Sequence, residues 1–177
     1  RTLQRDLHSG TYGGVAPNAI ETLVRILAEL KDEKGKVAIP KLYKSVIRPR
    51  LAELKEWNRL PFSKKEYLRQ EVTARALTGL KKYSVFERTW ALPTLEIHGI
   101  KGGFVGEGAK TVIPAQATAK VSLRLVPGLP FKQVAKWLER AVRAAAPKYA
   151  DVEVRVLHGG DPVQVDVQHP AFQVLDA

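Results

Sequence analysis

Two stretches in the second half of the chain alternate between apolar and polar positions. They are Thr94-Leu95-Glu96-Ile97-His98-Gly99-Ile100 and Ala117-Thr118-Ala119-Lys120-Val121-Ser122-Leu123-Arg124-Leu125-Val126. A period of two is the signature of a strand with one covered face and does not suit a helix. A glycine-rich loop from Gly102 to Gly108 follows the first stretch, and Pro127-Gly128-Leu129-Pro130 stops the second. These are hairpin-linked strands, and everything else must be arranged around them.

Helical patterns flank the pair. After Pro17, Ile20, Leu23, Val24, Leu27 and Leu30 fall on one apolar stripe, which Lys31-Asp32-Glu33-Lys34-Gly35 ends. A second helix is predicted from Phe131 to Ala146, with Val134, Leu138, Ala141, Val142 and Ala145 on one face. Thr2 to His8 alternates loosely as the end of a strand, and Asp151 to Leu157 reads as a last strand. The order is strand, helix, strand, strand, helix, strand, the ferredoxin-like β-α-β-β-α-β arrangement. The expected fold class is therefore α+β, with one four-stranded antiparallel sheet and both helices on one face.

Between the first helix and the hairpin, residues 35–92 read as a helical insertion within a single domain, 1–177. Val37-Ala38-Ile39-Pro40 is extended, and Pro49, Pro61 and Gly79 punctuate the rest. Leu51 to Trp57 and Ser63 to Leu77 look helical, the second capped by Ser63 with Glu66 three residues on. Beyond Gly159-Gly160-Asp161-Pro162, residues 163–177 form a return segment with a helix starting at Ala171. With no Met anywhere, the chain reads as a segment of a larger protein.

Charge and composition exclude several classes. There is no cysteine, so no disulfide, thiolate metal site or thiol nucleophile exists, which fits a reducing, cytoplasmic setting. No apolar run approaches the roughly 18 residues of a membrane helix. Lys and Arg total 29 against 18 Asp and Glu, a formal charge of +11, but the cations are dispersed. The densest cluster, Lys41 to Lys82, is interleaved with Glu53, Glu56, Glu66 and Glu71. An excess of charge without a reading motif is weak ground for nucleic-acid binding.

The chemistry-bearing residues are few. His8, His98, His158 and His169 match no zinc spacing, and Asp6-x-His8 is too short a match to carry a metal site alone. Gly102 to Gly108 opens no helix, so it is not a phosphate cradle. There is no Gly-x-Ser-x-Gly elbow. Taken singly, His8 reads as a structural loop residue and Arg124 as an exposed strand cation. Three glycines, Gly10, Gly13 and Gly14, make the loop after His8 a tight one.

Arg5-Asp6-Leu7-His8-Ser9-Gly10-Thr11-Tyr12-Gly13-Gly14 resembles the Asp-Leu-His-Ser-Gly-x-x-Gly-Gly signature of carnosinase-like dipeptidases. These belong to the aminoacylase and carboxypeptidase superfamily of di-zinc metallopeptidases. The resemblance continues through Gly35 to Pro40, Pro93 to Ile100, Gly106 to Ala115 and Lys120 to Pro127, in register. In that family a zinc-bearing catalytic domain is interrupted by a ferredoxin-like lid, or dimerisation, domain. The resemblance is to the lid. It implies a homodimer formed through the sheet edge and helix, docking to the chain's own catalytic domain, and a small peptide or N-acyl amino acid substrate. It also implies two zinc ions in the parent enzyme and none held by the lid, which alone is expected to be inactive.

The resemblance gives three residues a role. His8 matches the lid histidine that enters the partner subunit's active site and polarises the scissile carbonyl. Arg124 matches the arginine that holds the substrate's terminal carboxylate. Thr111 matches a lid threonine near the substrate. Gly10, Gly13 and Gly14 are expected to shape the loop that projects His8. The family has further lid sequence before this motif, and here seven residues precede His8, so the first strand is expected to be short or displaced.

A rival reading is a basic ferredoxin-like module binding nucleic acid or a protein, without catalysis. Such a module stacks bases on sheet aromatics. Neither Thr94–Ile100 nor Ala117–Val126 carries an aromatic residue. The peptidase reading is therefore preferred.

Overall fold

In a computed structural model, residues 1–165 are described. The return helix expected at Ala171, and His169, lie outside them. The chain begins with a two-residue strand, β1 (Leu7–His8), and a single helical turn, α1 (Ser9–Tyr12). Helix α2 (Ala19–Glu29) follows, and Asn18 caps it, its Oδ1 accepting from the Ile20 and Glu21 N–H groups at 2.9 and 3.2 Å. The next stretch carries a 3-10 turn (Leu42–Lys44), α3 (Leu51–Arg59), α4 (Lys64–Glu66) running into a π-helical segment (Tyr67–Val72), and α5 (Val85–Trp90). Then come β2 (Thr94–Gly102), β3 (Val112–Ile113), β4 (Ala117–Arg124) and α6 (Phe131–Ala145).

The fold is α+β, but the expected four-stranded ferredoxin sheet is not what the described residues form. Two two-stranded antiparallel sheets are present instead, β1 with β3 and β2 with β4. The first strand is the reason. Only Leu7 and His8 enter a ladder, and they pair with Ile113 and Val112 rather than with β4. Asp151–Leu157, read as the last strand, runs without a ladder. One reciprocal backbone pair joins its start to Arg1, at 2.8 Å each way, but Thr2 then turns its N–H to Ala115 O. The segment is moored to α6 instead. Arg143 donates to Val152 O at 2.9 Å, and Asp161 Oδ1 accepts from the Phe131 N–H at 2.6 Å, supplying the cap that Pro130 lacks.

The hairpin carries the core. Leu95 pairs with Leu123 and Ile97 with Val121, and Leu95 is fully buried. Helices α2 and α6 cover that face, bringing Leu27, Leu30 and Val134 onto Leu95, Val126 and Leu129. The stripe on α2 is rotated from the expected one. Ile26 and Thr22 are buried while Val24 is half exposed. The outer face of the hairpin is polar. It carries Glu96, Ser122 and His98, which sits in a bulge with its Nε2 at 2.6 Å from Ser122 Oγ.

Residues 35–92 anchor at their beginning and end. Val37, Ile39, Leu42 and Val46 are buried in the main core, and Ala91 and Leu92 are buried where the chain returns to β2. Between these anchors the chain is held by its own aromatics, Trp57 edge-on to Trp90 at 5.3 Å and Phe86 stacked on Trp90 at 4.5 Å. The helix expected from Ser63 to Leu77 ends at Val72, where Thr73 adopts left-handed angles. Most of that stretch is exposed, and a helix without a packed face is marginal. Two tyrosines mark opposite environments here. Burial holds the Tyr43 phenol above its ordinary pKa, although its oxygen accepts from the Val37 N–H at 3.0 Å. Slight burial pushes Tyr83 upward too, but hydrogen bonds and charge from Arg48 and Lys82 outweigh it and leave that phenol below the usual value.

Candidate functional site

The short β1–β3 ladder brings residues 7–8 and 112–113 together. Asp6 Oδ1 accepts from the Ala115 N–H at 2.8 Å, and the Ser9 N–H donates to Thr111 O at 3.1 Å. These bonds clamp the strand on both sides of His8, opposite Val112. In the sequence Asp6 is half of a weak metal pattern and the first residue of the Asp-Leu-His-Ser-Gly motif. Its observed use is mechanical, and no local signal reveals a backbone partner 109 residues away.

His8 itself is exposed and caps α1. Its Nδ1 accepts from the Gly10 N–H at 3.0 Å, and its Nε2 lies 2.9 Å from Thr111 Oγ1. Two of the residues singled out by resemblance, 103 positions apart, are therefore in direct contact. The loop glycines have separate reasons. A Cβ at Gly10 would stand 2.8 Å from His8 Cε1, and one at Gly13 would stand 2.5 Å from Ser9 O. Gly14 has a φ of 80°, the left-handed region that side chains rarely adopt.

Arg124 is elsewhere. It is exposed at the far end of β4, opposite Thr94, and among the described residues its guanidinium makes no ion pair or hydrogen bond. Helix α2 measures the gap. Its start is tied to the His8 end, since the Ala19 N–H donates to Pro114 O at 3.1 Å. Just past its C-terminus, Lys31 reaches Glu96 at 3.4 Å, beside the Arg124 end. The ends of β4 alone are roughly 23 Å apart at the usual rise of a strand.

Among the described residues, no three His, Asp or Glu side chains gather as a metal site would require. The donor set near His8 is Asp6, committed to Ala115, and the imidazole, with both ring nitrogens already engaged. These residues do not fit a zinc pair. No described helix is long and apolar enough to cross a membrane.

An exposed histidine on a clamped loop is thus carried by a small α+β domain. Residues 2–150 match the peptidase dimerisation domain of the M20 family, and the chain belongs to that family. It is 36% identical over 129 residues to the Cys-Gly metallodipeptidase DUG1 of Candida albicans, covering 73% of this chain and 26% of that protein. The crystal structure of human carnosine dipeptidase 1 superposes with a TM-score of 0.69 at 30% identity, over 82% of this chain and 30% of the other. The M20 metallo-carboxypeptidase Sso-CP2 from Sulfolobus solfataricus shares the fold at a TM-score of 0.79 over 98% of this chain and 44% of its own, at 23% identity. The chain thus spans between 18% and 36% of the length of the curated relatives it matches.

Proposed function

We propose that this chain is the dimerisation and substrate-capping domain of a zinc-dependent dipeptidase that cleaves peptide or N-acyl amino acid amide bonds. In this reading His8 acts on the active site of the partner subunit, Thr111 stands near the substrate, and Arg124 holds the substrate's terminal carboxylate. In this reading the zinc pair belongs to a catalytic domain that this chain does not include; among the described residues no three His, Asp or Glu side chains gather. The division of labour rests on one observation, the separation of the two ends. A dipeptide spans at most roughly 7 Å when extended. It cannot touch His8 and Arg124 of one domain when these lie at opposite ends of the hairpin. If both act on one substrate, they come from different subunits.

The chemistry suits the residue types. An imidazole N–H is a preorganised donor for the negative charge that develops on a carbonyl oxygen under attack. A free guanidinium offers the planar fork that a carboxylate accepts in two bonds. Homodimerisation through a sheet edge is supported by the open edge of β2, whose strand leaves one side unpaired among the described residues. The basic binding module remains the less favoured reading, because no aromatic stands on β2 or β4.

The test is complementation between subunits of the intact parent enzyme. A His8→Ala chain is mixed with a chain disabled at its zinc ligands, and stable hetero-dimers are purified. Activity should return in the hetero-dimer, where one wild-type His8 faces one intact metal centre. Inactive hetero-dimers, with both chains folded and paired, would refute the cross-subunit assignment.

A further inference from the structure

The hydrogen bonds around His8 determine which of its nitrogens carries the proton. The Gly10 N–H points at Nδ1 from 3.0 Å, and a backbone amide can only donate. Nδ1 must therefore present its lone pair, which leaves the hydrogen of a neutral imidazole on Nε2. That hydrogen meets Thr111 Oγ1 at 2.9 Å, so the threonine hydroxyl is the acceptor of this bond. A side chain at residue 10 would end this arrangement, since its Cβ would fall 2.8 Å from Cε1 and 3.1 Å from Nδ1 of the ring.

We infer that Gly10 and Thr111 are positioning residues that fix His8 as the Nε2–H tautomer and hold its donor in reserve. Gly10 fixes the tautomer through its backbone amide, and its missing side chain allows the close approach. Thr111 keeps the N–H aligned until a stronger acceptor arrives, such as the carbonyl oxygen of a substrate gaining negative charge. The ring is exposed, so that exchange of acceptors requires no buried rearrangement. This inference rests on the proposed role of His8 for its purpose, but the proton's location is a property of the chain itself.

Nuclear magnetic resonance of the nitrogen-15-labelled chain tests it without any catalysis. At about pH 8.5, where an imidazole is ordinarily neutral, the His8 ring nitrogens should show the Nε2–H pattern, with a through-hydrogen-bond coupling from the Gly10 amide to Nδ1. In Gly10→Ala that coupling should vanish while the remaining amide spectrum stays dispersed. Thr111→Val should speed solvent exchange of the Nε2 proton on the order of fivefold, the worth of one modest hydrogen bond. Thr111→Ser should restore the protection. A proton found on Nδ1, or a coupling that survives in Gly10→Ala, overturns the inference, as does equal exchange in the Val and Ser variants. None of these outcomes bears on hetero-dimer complementation, so the two readings fail separately.

Discussion

His8→Ala in the intact parent enzyme is expected to lower the turnover number by about 100- to 1000-fold, the scale for losing one donor to a developing oxyanion. The Michaelis constant should change far less, because a donor that strengthens its bond only as charge develops contributes little to ground-state binding. Arg124→Ala should behave differently. Its loss falls on substrates with a free C-terminal carboxylate, which would be left without its charged partner, and amidated analogues should lose little. Steady-state kinetics on a matched acid and amide pair separates the two effects. A His8 variant whose defect lies wholly in the Michaelis constant, or an Arg124 variant that affects acid and amide equally, would contradict the assigned roles.

Gly128→Ala should destabilise the domain by roughly 2–5 kcal/mol, combining left-handed backbone strain with overpacking. Gly128 has a φ of 89°, and a Cβ there would lie 2.1 Å from Ser45 O and 2.9 Å from Ile47 N. These are backbone atoms and cannot swing aside like the tip of a side chain. Relief would require parting the turn before α6 from residues 45–47, and with it the bond from the Ile47 N–H to Pro127 O at 2.9 Å. Val46, buried between them, would lose its seat. Denaturant unfolding measures the change, with Gly160→Ala, which meets nothing within 4 Å, as the neutral comparison. A Gly128 variant as stable as the Gly160 one would show that the turn is not the staple inferred here.

The sequence disclosed some of these elements far better than others, for physical reasons. β2 and β4 were legible because Leu95 and Leu123 face the core while Glu96 and Ser122 face outward, although Ile97 and Ile100 stay about half exposed. Helix α6 was legible because Val134, Leu138, Ala141 and Val142 do face the core. Asp151–Leu157 alternates just as well, yet a strand is completed by its partner, and pattern says nothing about whether one lies alongside. β3 is two residues long, too short for any period to register. At the site, the motif around His8 came through by resemblance, whereas its bond to Thr111 joins two exposed polar side chains that no hydrophobic pattern links.

The ladder between β1 and β3 closes a span of about a hundred residues, and most of what lies inside the span belongs to the stretch 35–92. Closure entropy grows only logarithmically with length, so doubling such a loop costs about 0.6 kcal/mol. Past Ile47 that stretch is held mainly by its own aromatics, while His8 is clamped by Asp6, Ser9 and Thr111. Residues from about 50 to 90 can therefore be lengthened, shortened or redecorated while the imidazole stays where it is. The domain separates a part that can drift in shape from a part that cannot, so the outer stretch can change without moving the ring of His8.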